Sequence, residues 1–179
     1  ALAQQTQFQI VGIGSDEGQV SATRERLVRL GLYGSRVTIH LVSKGALPFT
    51  DYFANLITSE SAWLGQAPSR LAKGELERLL QPYNGLAWLA PEAPPHLASG
   101  LSGAGEWTHQ YGNPANTSNS GDALVHSDLV LQWFGGPGAA PMVDRHLRAP
   151  APLAAEGRLI IPGENLVIAV DAYNGTELW

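Results

Sequence analysis

The sequence contains no cysteine in its 179 residues. This absence excludes disulfides, thiolate nucleophiles, and zinc or iron–sulfur sites built from cysteine. It does not assign a compartment, because cytosolic and exported proteins can both lack cysteine.

Basic residues are also few: 11 Lys and Arg stand against 16 Asp and Glu, giving a net charge of −5. Binding to nucleic acid requires a concentrated basic surface. The cluster Arg24, Arg26 and Arg29 has instead the spacing of the exposed face of one helix. We therefore predict no nucleic-acid partner.

Long apolar runs are absent as well, and none approaches the roughly 20 residues that span a bilayer. We predict no membrane insertion. The first residues, Ala1–Gln5, lack an initiator Met and a signal-peptide pattern. They are typical of the end of a helix, and the chain stops just after a predicted strand. We therefore expect a piece of a longer polypeptide.

The first half of the chain alternates strand and helix patterns. Apolar, β-branched runs alternate with segments whose apolar residues recur at helical spacing. This order predicts an α/β fold with a largely parallel sheet over residues 1–90. We predict strands over Phe8–Ile13, Val37–Val42, Tyr52–Ile57 and Leu86–Ala90, and helices over Val20–Leu30 and Leu71–Leu80.

The second half has a different character. Residues 91–105 are rich in Pro and Gly and are predicted to be a linker. Short apolar runs separated by Gly, Pro and Asn then predict antiparallel strands within residues 106–179. The predicted strands there are Leu129–Phe134, Arg158–Ile161 and Leu166–Val170.

The segment Leu76–Gly85 is similar to a helix-to-strand turn with the pattern "LxxxxRxLxPGG" through Arg78, Leu80 and Pro82, and it follows the strand at Ile10–Ile13 and the helix at Val20–Leu30. In these features residues 1–90 resemble class I S-adenosylmethionine-dependent methyltransferases from the end of their first helix onward. The resemblance implies a partial Rossmann-like sheet. The family's first strand and Gly-rich loop would lie before Phe8.

The resemblance also assigns cofactor positions. The family's acidic residue at the end of the second strand falls on Gly14, and Asp16 lies two positions later, where it is expected to cap the following helix. The acidic adenine contact is replaced near Ser43 and Lys44. Asp16 and Glu60 are the candidate cofactor-binding residues. Two interpretations stay open: a degenerate domain kept for structure, and an active methyltransferase whose loop lies upstream.

The segment Ala169–Trp179 fits the pattern A-x-D-x-x-x-G-x-x-x-W through Ala169, Asp171, Gly175 and Trp179. It resembles the tryptophan-docking motif of quinoprotein dehydrogenase β-propellers, of the pyrroloquinoline-quinone (PQQ) type. Asn174-Gly175 predicts a hairpin turn with positive φ angles, and the indole of Trp179 is expected to pack between blades. The run Gly105–Thr117 resembles the lead-in of such propellers, and the chain supplies about one blade.

Together the resemblances imply a non-catalytic scaffold or interaction segment of an exported bacterial propeller protein. Its expected partners are the remaining blades and the missing first strand. The alternatives are an S-adenosylmethionine-dependent methyltransferase and part of a PQQ-dependent oxidoreductase, whose parent would bind the quinone with calcium. No cofactor is assigned to this segment itself.

Histidine offers no metal site in the sequence, because His40, His96, His109 and His126 lack metal-ligand spacing. Asp144 and His146 are a candidate acid–base pair only if their segment is extended, since residues two apart then share a face. A polar cluster that stabilises a turn is the alternative.

Overall fold

The computed structural model describes residues 2–42, 46–66, 71–126, 128–136, 138, 141–142 and 150–179. The chain divides into two compact units, Ala1–Pro48 and Phe49–Trp179. Parallel strands with helices come first along the chain, and a three-stranded antiparallel sheet comes last. The predicted change from α/β to antiparallel β is confirmed at this level. No helix among these residues is both long and apolar enough to cross a bilayer.

The first unit is built on two parallel strands joined by a helix. It contains α1 (Leu2–Gln5), β1 (Ile10–Gly14), α2 (Glu17–Arg29) and β2 (Val37–Leu41). β1 and β2 pair in parallel along their whole length. Parallel neighbours need a crossover connection, and α2 supplies it. The predicted strands and helix of this unit are confirmed to within a few residues at their ends.

The position of α2 depends on its cap and on a glycine. The Asp16 carboxylate accepts a hydrogen bond from the Gln19 N–H at 2.7 Å, which confirms the predicted N-cap. The helix stops before Gly31, whose φ is +65°. Val20 is buried against β1, and a Cβ added to Gly14 would lie only 2.7 Å from its Cγ2. Glycine at position 14 therefore allows the close approach of helix and strand.

The basic cluster of α2 is only partly solvent-facing. Arg26 and Arg29 are exposed, as the spacing predicts. Arg24 is half-buried, and its Nε and Nη2 donate to the Ile39 carbonyl of β2 at 2.9 and 2.7 Å. The prediction was wrong for Arg24, because its long side chain reaches a strand carbonyl instead of extending into water.

The second unit begins with a small mixed sheet. Its elements are β3 (Leu56–Thr58), α3 (Glu60–Trp63), α4 (Lys73–Leu79), β4 (Leu86–Trp88) and β5 (His96–Leu97). β3 is parallel to β4, and β5 pairs antiparallel with the other edge of β4. β5 lies within residues 91–105, for which the sequence predicts a linker.

Two local features set the ends of these elements. The strand predicted over Tyr52–Ile57 begins only at Leu56, because Tyr52 has a φ of +60° and breaks the extended backbone. The break predicted after α4 is confirmed, since the Gly85 N–H donates to the Gln81 carbonyl at 2.9 Å and closes a turn.

The second unit ends in an antiparallel sheet in the order β6 (Leu153–Ala155), β7 (Arg158–Gly163) and β8 (Leu166–Asp171). Both strands predicted here from the sequence, β7 and β8, are confirmed with antiparallel pairing. Among the described residues after position 105, this is the one sheet, and they form no closed propeller ring. Its buried apolar side chains are Ile161, Ala169 and Val170.

The strand predicted over Leu129–Phe134 is wrong. The described residues of this segment have no strand partner. Four of its apolar side chains are 74–93% exposed. Among the described residues, Gln132 and Trp133 bind other parts of the unit through hydrogen bonds of their side chains. High β propensity does not form a strand where no neighbouring strand is available.

β1 and β3 belong to different sheets. Among the described residues each has a strand neighbour on one side only. The outer edge of each strand therefore presents backbone N–H and C=O groups without a ladder partner.

Candidate functional site

The predicted cofactor-binding residues do not form a common site within either unit. Asp16 is exposed in the first unit, and its carboxylate is engaged as the helix cap. Glu60 is exposed in the second unit, at the start of α3. Ser43, Lys44, Asp144 and His146 lie outside the described residues. Within the part of the chain that the structure describes, no three acidic or histidine side chains are grouped as metal ligands.

The predicted hairpin motif, in contrast, is brought together around Asp171. The Asp171 carboxylate oxygen Oδ1 accepts hydrogen bonds from the N–H groups of Tyr173 at 2.8 Å and Asn174 at 3.3 Å. Its backbone carbonyl accepts from the Gly175 N–H at 2.9 Å, and its N–H donates to the Thr176 carbonyl at 2.8 Å. Asp171 thus closes the turn from both its side chain and its backbone.

The turn differs in one respect from the predicted type. Gly175 has a φ of +74°, whereas Asn174 is not in the positive-φ region. A two-residue turn with both central φ angles positive is therefore wrong. The carboxylate of Asp171 holds the Asn174 N–H and stabilises a longer turn, in which only Gly175 needs the left-handed conformation.

Ala169 and Trp179 meet at the open end of the same hairpin. The Ala169 N–H donates to the Trp179 carbonyl at 2.9 Å, and the Leu178 N–H donates to the Ala169 carbonyl at 2.8 Å. Ala169 is fully buried, but the Trp179 side chain is 63% exposed. The predicted antiparallel hairpin over residues 158–179 is confirmed, whereas the packing of the Trp179 indole between blades stays a prediction.

The hairpin binds a distant segment through paired amides. The Asn55 Nδ2 donates to the Asp171 Oδ2 at 3.0 Å, and the Asn174 Nδ2 donates to the Asn55 Oδ1 at 2.8 Å. Asn55 directly precedes β3 and is separated from Asp171 by 116 residues. Sequence reasoning missed Asn55. The only local signal is a polar residue inside the apolar run at 52–57.

A second contact to the hairpin comes from Trp133. Its Nε1 donates to the Ala172 carbonyl at 3.0 Å. Its indole covers Gly175 so closely that an added Cβ would lie 2.7 Å from the Trp133 Cδ2. The neighbouring Gln132 Nε2 donates to the carbonyls of Asp51 at 2.6 Å and Tyr173 at 3.2 Å. The segment at 129–134 was predicted as a strand, so the anchoring role of these two side chains was not foreseen.

Tyrosines complete the contact between the two parts of the unit. Tyr52 and Tyr173 pack edge to face with ring centroids 5.3 Å apart. Tyr83, in the turn between α4 and β4, lies against Gly157, where an added Cβ would be 2.9 Å from its ring. Burial is the main cause that raises the pKa of Tyr173 to about 12, and the nearby Tyr83, Tyr52 and Asp171 contribute to this rise. Tyr173 therefore stays neutral near pH 7 and acts as a packing residue.

The space left at this contact is small. The cavity lined by Tyr83, Glu106, Gly157, Arg158 and Tyr173 has a volume of about 70 Å³. Pockets for nucleotides and drug-sized ligands occupy about 300–1,000 Å³. A second cavity of about 330 Å³ lies against the sheet of β6, β7 and β8 and is lined mainly by apolar side chains, together with His109 and Gln110. The geometry around Asp171 is thus that of a packed joint between chain segments.

The buried position of Asp171, only 2% exposed, has a consequence for stability. Burial raises the pKa of its carboxyl, against the opposing effect of hydrogen bonds from Tyr173, Asn55 and Asn174. A folded-state pKa above the unfolded value means that the folded chain binds more protons between the two values. The free energy of unfolding is therefore expected to fall as pH rises through the folded pKa of Asp171.

Urea unfolding followed at several pH values between about 4 and 7 measures this dependence. Asp171→Asn cannot ionise and serves as the matched control. The difference between the wild-type and Asp171→Asn unfolding free energies should change with pH in the stated direction. Parallel pH profiles for the two proteins would contradict the role given to burial.

No protein-family model, no curated protein and no solved structure matches the chain.

Proposed function

We propose that this chain is a structural module in which an α/β segment is joined to a β-propeller-type hairpin, with no catalytic role of its own. The observation that supports the proposal best is the hydrogen-bonded set Asn55, Asp171 and Asn174. Buried polar groups that are fully hydrogen-bonded to one another stabilise one specific arrangement of the segments that carry them. This polar cluster is thus engaged in joining segments of the second unit.

The propeller part of the proposal rests on the observation that a tryptophan side chain packs on the hairpin. Trp133 covers Gly175 and donates a hydrogen bond to the Ala172 carbonyl. The tryptophan that belongs to the hairpin, Trp179, is 63% exposed. We propose that Trp179 packs on a further hairpin of the same pattern. Repetition of that contact would close a ring of blades. The expected partners are therefore blades of a PQQ-like propeller, outside the cytoplasm as the resemblance implies.

A second partner is proposed at the outer edge of β1. Its ladder bonds to β2 involve Ile10 and Gly14, which leaves the N–H and C=O groups of Val11 and Ile13 facing the other way. The strand has no Pro or Lys to block pairing. We propose that the first strand of a methyltransferase-like sheet pairs here.

The methyltransferase alternative is disfavoured by Gly14. At this position the family has a carboxylate that binds the ribose, but in this chain even a Cβ would overlap with the buried Val20. Asp16 is engaged as the cap of α2. Glu60 remains available after β3, yet it lies in the other unit. The quinoprotein oxidoreductase alternative rests on the sequence resemblance alone.

Titration of the chain with S-adenosylmethionine in a calorimeter tests the proposal. We expect no binding in the micromolar range, because no ribose-binding carboxylate stands at the end of β1. S-adenosylhomocysteine provides a second ligand with the same ribose. Micromolar binding that is lost in Glu60→Gln or Asp16→Asn would support the methyltransferase and contradict a purely structural module.

A further inference from the structure

Two tryptophans form a right-angled aromatic surface at one end of the small sheet. Trp63 is the last residue of α3, and Trp88 is the last residue of β4. Because β3 and β4 are parallel with Thr58 beside Trp88, the helix that follows β3 starts where β4 ends. The carboxyl ends of parallel strands are the edge at which such sheets commonly bind ligands.

The two indoles are held in a fixed relation. Their planes meet at 73° with ring centroids 4.9 Å apart, and the Trp63 Nε1 donates to the Trp88 carbonyl at 3.2 Å. Even so, Trp63 is 38% exposed and Trp88 is 39% exposed. A pre-positioned pair of large aromatic side chains is thus left in contact with water.

The same short helix that holds Trp63 also carries a carboxylate. Glu60 is one turn before Trp63 on α3, and residues three apart lie on the same face of a helix. Glu60 is exposed, and among the described residues it forms no ion pair. We call Glu60, Trp63 and Trp88 the aromatic corner.

The chemistry of the aromatic corner selects a cation. The faces of indole rings attract positive charge, and tryptophan is the strongest of the aromatic residues in this respect. The carboxylate adds attraction for a cation and repels an anion. A weakly hydrated cation with apolar methyl groups matches both properties, because it loses little hydration when it contacts the rings.

From these observations we infer that the aromatic corner binds small quaternary ammonium compounds. The trimethylammonium group would contact the two indole faces while Glu60 balances its charge. This inference is independent of the structural role proposed around Asp171. Its failure would leave that role unchanged.

Choline chloride is the probe, and the five indole N–H signals of the ¹H–¹⁵N spectrum are the readout. We expect saturable shifts of the Trp63 and Trp88 signals, with a dissociation constant on the order of 1–10 mM. The neutral isostere 3,3-dimethylbutan-1-ol has the same shape without the charge and should bind about tenfold more weakly.

Variants distinguish choline binding at a cation site from binding to an apolar surface. Glu60→Gln should weaken choline binding by roughly threefold to fivefold at low salt. Trp63→Leu should remove the saturable shift at Trp88, and Trp179→Leu, which changes an exposed tryptophan elsewhere, should not. Equal binding of choline and its neutral isostere would overturn the inference, as would the absence of saturable shifts at about 100 mM choline.

Discussion

Replacing Trp133 with alanine is expected to lower the free energy of unfolding of the second unit by about 3 kcal/mol. The indole covers Gly175, and its Nε1–H satisfies the Ala172 carbonyl at 3.0 Å. The substitution removes this packing and leaves the carbonyl without its partner. Both losses occur at the hairpin turn, which depends on the conformation of Gly175.

The matched control is Trp179→Ala in the same hairpin. The Trp179 side chain is 63% exposed, so its removal should cost less than about 1 kcal/mol. All five tryptophans lie in the second unit, and their fluorescence therefore reports on that unit. Urea unfolding followed by fluorescence and circular dichroism compares the two variants. A larger loss for Trp179→Ala than for Trp133→Ala would contradict the contacts described here.

Replacing Asp171 with alanine is expected to cost about 3 kcal/mol. The carboxylate accepts three hydrogen bonds, from the N–H groups of Tyr173 and Asn174 and from the Asn55 amide. Alanine leaves these donors unpaired in a largely buried place, and an unpaired buried donor costs more than an average hydrogen bond contributes.

Asp171→Asn removes the negative charge but keeps one side-chain oxygen that can accept hydrogen bonds. An asparagine oxygen can still accept from the Tyr173 N–H and the Asn174 N–H, whereas its amide nitrogen meets the Asn55 amide in place of an acceptor. We expect a loss of about 1 kcal/mol at neutral pH. Asp128→Ala, at an exposed carboxylate in the same unit, should change the free energy of unfolding by less than about 0.5 kcal/mol. Equal losses for Asp171→Ala and Asp128→Ala would show that the turn does not need its carboxylate.

Local features of the fold could be predicted from the sequence. The cap at Asp16, the stop at Gly31 and the turn between Asp171 and Gly175 each depend on residues only a few positions apart. The residues that form each feature are close together in the sequence, so the local sequence pattern is enough to predict it. The same is true of β7 and β8, which pair across a short turn.

Long-range contacts could not be predicted in this way. Asn55 and Trp133 bind the hairpin from 116 and 39 residues away, and no local pattern indicates which asparagine or tryptophan will do so. The strand predicted over 129–134 fails for the same reason, because pairing depends on a neighbour that propensity does not supply. The left-handed Tyr52 shortens β3, since tertiary contacts override the preference of a tyrosine for extended backbone.

The exposed Trp179 shows how a predicted hairpin can be confirmed while the contact of its indole stays a prediction. The spacing from Ala169 to Trp179 places both residues at the same end of the hairpin. The partner for the indole is a further hairpin in our proposal, and Trp133 shows the geometry such a contact would have. The local fold of this segment therefore follows from its own sequence, whereas the proposed contact of Trp179 would need a second hairpin.

A double-mutant cycle between Asn55→Ala and Asp171→Ala tests the central claim most directly, because it isolates the contact that joins the α/β segment to the hairpin. Each single variant and the double variant are unfolded in urea at constant pH. We predict that the double variant loses about 1 kcal/mol less than the sum of the two single variants, since the shared hydrogen bond can be lost only once. Losses that add to within about 0.3 kcal/mol would contradict a structural joint between these two segments.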